Sequence, residues 1–123
     1  MESVSKMIDS GAFKGRDIVS MKTFDRGEID FILDKATEMQ PFAEKGSDML
    51  KGKVLATLFF EPSTRTRLSF ESAMLRLGGG VIGFAEPKVS SVAKGETLSD
   101  TIKVVESYAD AIVLRRARFV DIT

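Results

Sequence analysis

The sequence contains neither cysteine nor histidine. The lack of cysteine excludes disulfides and thiolate metal sites within the chain, and the lack of histidine removes the commonest catalytic base and metal ligand. Any catalysis would rest on arginine, lysine, hydroxyl groups and the backbone. No apolar run approaches the roughly 20 residues of a membrane span, and the first residues do not lead into a signal-peptide core. We expect a soluble, cytoplasmic protein with no membrane partner.

The chain also lacks net charge, because 18 basic residues balance 18 acidic ones. A balanced chain produces no broad field toward nucleic acid, so we expect no nucleic-acid partner, and any anion site must be local. The length of 123 residues fits one domain, and a hydrophobic content of 43% is typical of a globular protein.

Three apolar stretches predict the strands of a buried parallel sheet, and helical patterns lie between them. The strands are expected at 53–60, 81–85 and 111–114, after a polar arm over residues 1–16. The order predicts an α/β domain with a mostly parallel sheet and flanking helices, in βαβαβ order.

The expected helices have apolar faces that we predict to pack into the core. The first spans 25–44, the second starts near Thr66 and ends at 78–80, and the third spans 98–109. The core-facing residues predicted on the first two helices are Ile29, Ile32, Leu33, Ala36 and Met39, then Leu68, Ala73, Met74 and Leu77.

The segment after the first strand carries the clearest functional pattern, Glu61-Pro-Ser-Thr-Arg-Thr-Arg67. Hydroxyls and guanidinium groups here meet the unpaired N–H groups and positive dipole of a helix start, which favours phosphate binding. Arginine adds a planar fork that can hold two phosphate oxygens. The simpler interpretation is that Ser63 or Thr64 caps the helix and that the arginines solvate an exposed turn.

These residues carry a resemblance to a known family. Residues 60–71, Phe-Glu-Pro-Ser-Thr-Arg-Thr-Arg-Leu-Ser-Phe-Glu, resemble the carbamoyl-phosphate signature of the aspartate and ornithine carbamoyltransferases. Residues 90–101, Ser-Ser-Val-Ala-Lys-Gly-Glu-Thr-Leu-Ser-Asp-Thr, are similar to the mobile loop of the aspartate enzymes, and the ornithine enzymes usually lack this version. The likeness runs from about residue 15 to Arg115.

The resemblance implies transfer of the carbamoyl group from carbamoyl phosphate to the α-amino group of L-aspartate in pyrimidine biosynthesis. It implies no metal and no organic cofactor, and a homotrimer with or without regulatory chains. Two alternatives stay open: ornithine carbamoyltransferase activity, and a non-catalytic carbamoyl-phosphate-binding fragment.

The resemblance also assigns site residues. The residues matched to phosphate binding are Ser63, Thr64, Arg65, Thr66 and Arg115, and the last two are also matched to the carbonyl oxygen. From the residues alone, an arginine after a strand, such as Arg115, is usually a solvated strand terminus. Its position after the third strand would nevertheless bring it beside the turn, because the carboxyl ends of parallel strands share one edge.

Three further matches concern contacts beyond the domain. Lys94 matches a lysine that reaches phosphate and the aspartate carboxylate in the neighbouring subunit, helped by a serine that is either Ser90 or Ser91. Glu61 matches a glutamate that links the two domains on closure. Without the resemblance, Lys94 would be a solubilising charge and Glu61 a turn-capping acid.

The sequence departs from the family pattern after Arg115. It continues Arg-Ala-Arg-Phe-Val-Asp-Ile-Thr, whereas family members commonly have His-Pro and a Glu-Gly-Ala-Ala-Arg run. A later histidine and glutamine, and the second domain that holds aspartate, have no counterpart here. We therefore expect residues 1–123 to be an incomplete carbamoyl-phosphate-binding domain, from the N-terminal half of a two-domain carbamoyltransferase. An excised domain, a truncated reading frame and a deletion product would each explain this.

Overall fold

The computed structural model describes residues 13–85 and 98–116. The chain divides into two compact units, Met1–Glu44 and Lys45–Thr123, which are described in turn. Within the described ranges, no helix is long and apolar enough to cross a membrane.

The first unit is built around helix α1, Arg26–Met39, which follows a short 3₁₀ turn at Met21–Thr23. Asp25 begins α1 with a capping box: Glu28 N donates to Asp25 Oδ1 at 2.8 Å, and Asp25 N donates to Glu28 Oε1 at 3.1 Å. These bonds satisfy amides that the helix start leaves unpaired.

Two predictions for this helix are wrong. The helix predicted over 25–44 is interrupted before Pro41, and a separate short helix, α2, spans Phe42–Lys45. Proline lacks the N–H that would continue the helical hydrogen bonds, and its ring clashes with the preceding turn, although Gln40 itself keeps helical backbone angles. The predicted core face is also not buried: no α1 residue is, and Ile32, Leu33 and Ala36 are exposed. In this unit the described ring contacts reach Phe31 and leave Ile32, Leu33 and Ala36 exposed.

An aromatic cluster attaches residues 13–16 to the start of α1. The Phe13 ring stacks on Phe31 at 5.4 Å between centroids and lies 6.2 Å from the Phe24 ring. The Arg16 guanidinium lies 4.6 Å from the Phe24 ring centroid and pairs with the Glu28 carboxylate. The hydrogen bond from Arg16 is the main cause of the lowered pKa of Glu28. Residues 13–16 are therefore packed against the helix and are not a free arm, while residues 1–12 lie outside the described ranges.

Acid should release this attachment. A lowered folded-state pKa means that the Glu28 contribution is present above the unfolded pKa and is lost as the pH falls through the folded pKa, below the ordinary glutamate range. NMR shifts of the Phe13 and Phe24 rings should titrate there in the wild type and not in Glu28→Gln. A wild-type midpoint at or above the ordinary glutamate range would contradict the account.

The second unit contains a sheet of three parallel strands: β1 (Val54–Phe59), β2 (Gly80–Ala85) and β3 (Ala111–Arg115). The strand order is β2-β1-β3, so β1 pairs in parallel with both neighbours. The predicted α/β class and strand succession are confirmed. All of β1 after Val54 is buried, as expected. The prediction that β3 is buried is wrong: it pairs only with β1 among the described strands, and Leu114 is 42% exposed.

Two helices pack on the sheet, α3 (Thr64–Arg76) and α4 (Leu98–Glu106). Alternate residues of a strand point to opposite faces. On one face, Ala56, Leu58 and Phe60 form the core that the α4 side chains Leu98, Ile102 and Val105 cover. On the other face, the Thr57 hydroxyl bonds to α3.

The predicted burial of α3 is confirmed only in part. Met74 is buried and Leu77 is half-buried, whereas Leu68 and Ala73 are exposed. The helix lies over β1 and β2, and a single sheet contact covers only one stripe of a helix. The predicted termination at 78–80 is confirmed, because Gly78 has φ +90° and Gly79 N bonds to Met74 O at 3.0 Å, as in a Schellman motif.

Gly83 lets β2 approach β1 closely. It pairs with Thr57 in the sheet register and has φ +146°. A Cβ at this position would lie 2.1 Å from Thr57 O and 2.6 Å from Thr57 Oγ1. Because the obstacle is the backbone of the central strand, no side-chain movement can relieve the clash.

We expect Gly83→Ala to lower the free energy of unfolding by about 2 kcal/mol or more, through strain and displaced strand pairing. Gly80→Ala is the matched control in the same strand, because its Cβ would meet only Lys53 O, at 3.9 Å. Urea unfolding of the two variants and the wild type measures the difference. Equal midpoints for both variants would contradict the close approach.

Candidate anion-binding site

The strand order places a topological switch point between β1 and β3. The chain leaves β1 toward β2 on one side and reaches β3 on the other, so the order reverses at β1. In open parallel sheets, ligands bind at the carboxyl ends of the strands beside this reversal. The two carboxyl ends are joined here by a hydrogen bond from Phe60 N to Arg115 O, at 2.9 Å.

The start of α3 occupies this edge. Ser63 is the N-cap residue, but its side chain makes no capping bond in the described structure. Its carbonyl accepts the helical bond from Arg67 N at 2.9 Å. The amides of Thr64, Arg65 and Thr66 belong to the first turn, whose N–H groups have no partner within a helix. The simpler capping interpretation thus does not account for the Ser63 hydroxyl, and Thr64 is the first helical residue instead of the cap.

Arg115 reaches this turn from β3, as the shared edge predicts. Its Nη1 donates to Thr66 Oγ1 at 3.1 Å, and its Nε donates to Glu61 Oε1 at 2.8 Å. The Arg115 side chain is 48% exposed. A guanidinium has five N–H donors, so Nη2 can still bind a ligand. Because the Thr66 hydroxyl oxygen accepts from Arg115, its hydrogen is directed elsewhere and can be donated.

The two arginines of the turn have different surroundings. Arg65 is exposed and has no ion pair with any residue in the described ranges. Arg67 Nε instead lies 2.9 Å from Glu71 Oε2, one helical turn further on, in an ion pair without hydrogen-bond geometry. The same Glu71 oxygen accepts a 2.8 Å bond from Thr57 Oγ1. Arg65 is therefore the arginine available to an anion.

Sequence reasoning missed the contact between Thr57 and Glu71. Two signals could have found it. Thr57 is the one hydroxyl within an otherwise apolar strand, and Glu71 follows Arg67 at the i,i+4 spacing that brings charges together on a helix. The distance in sequence between Thr57 and Glu71 hides their pairing.

The remaining predicted site residues, Ser90, Ser91 and Lys94, lie outside the described residues. The described ranges bring together Glu61, Ser63, Thr64, Arg65, Thr66 and Arg115 at one edge of the sheet. They contain no group of three His, Cys, Asp or Glu side chains arranged to hold a metal ion.

Known proteins resemble this chain in sequence and in fold. The profile of the aspartate/ornithine carbamoyltransferase carbamoyl-P binding domain matches residues 16–122. The aspartate carbamoyltransferase catalytic subunits of Methanocella arvoryzae and Thermococcus kodakarensis are each 59% identical, over 106 and 105 residues. The matches cover 86% and 84% of this chain and 34% of each relative. The chain thus spans about a third of the length of these relatives.

Solved structures agree. The catalytic subunit of M. jannaschii aspartate transcarbamoylase superposes with a TM-score of 0.75 at 55% identity, over 81% of this chain and 34% of that one. The Trypanosoma cruzi enzyme in complex with carbamoyl phosphate and aspartate gives 0.75 at 41% identity, over 86% and 34%. Together with the profile match over residues 16–122, these similarities show that the chain belongs to the aspartate/ornithine carbamoyltransferase family, in the part that forms its carbamoyl-phosphate-binding domain.

Proposed function

We propose that the chain is the carbamoyl-phosphate-binding domain of an aspartate carbamoyltransferase. The enzyme would transfer the carbamoyl group from carbamoyl phosphate to L-aspartate, giving N-carbamoyl-L-aspartate and phosphate for pyrimidine biosynthesis. The observation that carries the proposal is the contact of Arg115 with Thr66 at the start of α3, where the topology expects a ligand.

The site's own groups account for phosphate binding. Ser63, Thr64, Arg65 and Thr66 would supply hydroxyl and amide hydrogens, the positive end of the α3 dipole and one guanidinium. Arg115 would supply a second guanidinium through Nη2. Each contact is a charge-assisted hydrogen bond, which is shorter and stronger than a neutral one.

The chemistry follows from the same donors. The aspartate amine attacks the carbamoyl carbon, a C–N bond forms, and phosphate leaves with the electron pair of the broken C–O bond as the nitrogen loses a proton. Negative charge develops on the carbonyl oxygen during attack. Thr66 and Arg115 would stabilise this charge, and their mutual hydrogen bond fixes them before the substrate arrives.

Aspartate is favoured over ornithine as the acceptor by two observations. The relatives reported above are named for aspartate, and the T. cruzi neighbour is described in complex with carbamoyl phosphate and aspartate. The Lys-Gly-Glu-Thr sequence at 94–97 resembles the aspartate enzymes. Turnover with the two amino acids distinguishes the activities.

Several parts of the proposal rest on the resemblance alone. Lys94, with Ser90 or Ser91, would reach the site of a neighbouring subunit in a cytoplasmic homotrimer, with or without regulatory chains. Glu61 would link this domain to an aspartate-binding domain. In the described structure Glu61 pairs with Arg115, so the linking role would require that pair to separate or to share its carboxylate.

We expect Arg65→Ala to weaken carbamoyl phosphate binding by about 2–3 kcal/mol, on the order of a hundredfold, through loss of a bidentate, charge-assisted contact. Arg67→Ala removes the same charge from the same turn, but that guanidinium pairs with Glu71. The loss of carbamoyl phosphate affinity in Arg67→Ala should therefore be at least tenfold smaller than the loss in Arg65→Ala. Calorimetry on both variants measures the affinities.

Circular dichroism of both variants controls for folding. Equal affinities in wild type and Arg65→Ala would remove Arg65 from the site. A larger loss in Arg67→Ala than in Arg65→Ala would reverse the assignment of the two arginines.

We also expect the 123-residue chain alone to form no carbamoyl-aspartate above a buffer blank. Orienting both reactants accounts for many orders of magnitude in a two-substrate transfer, and we place the groups that orient aspartate outside residues 1–123. Extending the chain with the aspartate-binding domain of a relative should produce saturable turnover. Activity of the short chain would contradict this division of labour, and an inactive extended chain that folds would favour the non-catalytic alternative.

A further inference from the structure

We propose that Glu71 is a positioning residue for residues 63–66, the anion-binding turn at the start of α3. It acts through its hydrogen bond to Thr57. The inference rests on the proposed function, since it concerns how the carbamoyl-phosphate site keeps its shape. Glu71 lies in the second half of α3 and touches none of the residues assigned to the ligand, so its effect would pass through the position of the helix.

The bond joins two rigid elements. Thr57 is in the middle of β1 and fully buried, and its Oγ1 donates to Glu71 Oε2 at 2.8 Å. The Glu71 side chain is only 17% exposed. A carboxylate in this position needs a hydrogen-bond donor and a counter-charge, because burying an unpaired charge is costly. Thr57 supplies the first and Arg67 the second.

The strand side of the bond is held by the sheet. β1 pairs with both neighbours, and Gly83 lies opposite Thr57 with no Cβ. Any side chain at position 83 would meet the Thr57 hydroxyl, since a Cβ would lie 2.6 Å from Oγ1. The close approach of β2 therefore leaves room for the hydroxyl and limits its movement.

On the helix side of the bond, Glu71 fixes the position of the first turn of α3 relative to β1. A helix rises about 1.5 Å per residue, so Glu71 fixes Thr66 through roughly 7.5 Å of stiff backbone. Arg115 is tied to β1 independently, through the bond from Phe60 N to Arg115 O. The contact between Thr66 and Arg115 joins these two attachments. If α3 slides or rotates on β1, the hydroxyl and amide donors of the turn move away from the Arg115 guanidinium.

Two other features of the described structure do not indicate a separate function. The apolar side chains Ile32 and Leu33 of α1 are exposed, and nothing in the described structure indicates what covers them. The pair of Glu61 and Arg115 belongs to the site already described. The Thr57–Glu71 bond is different because it is partly buried, joins two elements and lies outside the ligand contacts.

The test measures the affinity of the folded chain for inorganic phosphate by NMR titration. Thr57→Val removes the hydroxyl and keeps the side-chain shape, and Glu71→Ala removes the acceptor. Each should weaken phosphate binding about tenfold, the effect of losing one well-formed hydrogen bond. Glu71→Gln retains an oxygen that accepts from Thr57 and should stay within about threefold of the wild type.

A control separates positioning from general destabilisation. Met74→Ala removes a buried side chain near the other end of α3. It should lower the melting temperature and leave phosphate affinity within about threefold of the wild type, as expected for a cavity distant from the site. Thr57→Ser serves as the second variant if Thr57→Val does not fold, and it should retain wild-type affinity.

The outcomes distinguish the inference from the function on which it rests. The positioning role is overturned if Thr57→Val and Glu71→Ala bind phosphate with wild-type affinity. It is also overturned if Met74→Ala loses as much phosphate affinity as they do. Both outcomes leave the site in place. If Thr57→Val does not fold, Glu71→Ala and Thr57→Ser decide the matter by the same comparison. A wild-type chain that does not bind phosphate overturns the proposed site itself, and with it the inference.

Discussion

The structure depends on the burial of β1 between two parallel neighbours and two covering helices. A strand hydrogen-bonded on both sides and buried on both faces has no freedom to shift its register, because a slip of one residue would exchange the two sets of side chains. Ala56, Leu58 and Phe60 pack against α4 on one face, and Thr57 bonds to α3 on the other. The carboxyl end of β1 is consequently a fixed point, and the candidate site is assembled on it.

Three attachments extend from that fixed point to the anion-binding turn. The chain itself continues from β1 into α3, the backbone of Phe60 bonds to Arg115, and the Thr57 hydroxyl bonds to Glu71. Together they bring a hydroxyl-rich helix start and an arginine from another strand within 3.1 Å of each other. Groups aimed at an anion in advance bind it without reorganisation, which is the advantage of building a site on rigid elements.

The fold was predictable from the sequence where local signals agreed. The continuous apolar run predicted the central strand, and the polar turn and the triple glycine predicted the two ends of α3. The topology was also constrained, because a chain in βαβαβ order has few allowed topologies. Burial was predicted less well. Leu68, Ala73 and Leu114 have the right side chains for a core, but exposure depends on what packs against them, and no periodicity in a sequence gives that information.

The candidate site was predictable in part. The residues of the turn follow from the sequence pattern. The position of Arg115 beside them follows from the common edge of parallel strands. The surroundings of Arg67 follow only in part, because its i,i+4 spacing to Glu71 is a local signal, whereas the contact of Glu71 with Thr57 is distant in sequence. A string with two arginines shows that charge is present, and only the structure shows which charge is already paired.

The most direct test of the central claim is an amide NMR titration of the chain with carbamoyl phosphate, supplemented by the arginine Nε resonances. Binding where β1 and β3 end should cause saturable shifts in the amides of residues 63–66 and in the Nε groups of Arg65 and Arg115. The Arg67 Nε, beside Glu71, should move least of the three. Saturable shifts confined to residues away from this edge, or no saturation at any residue, would contradict the account.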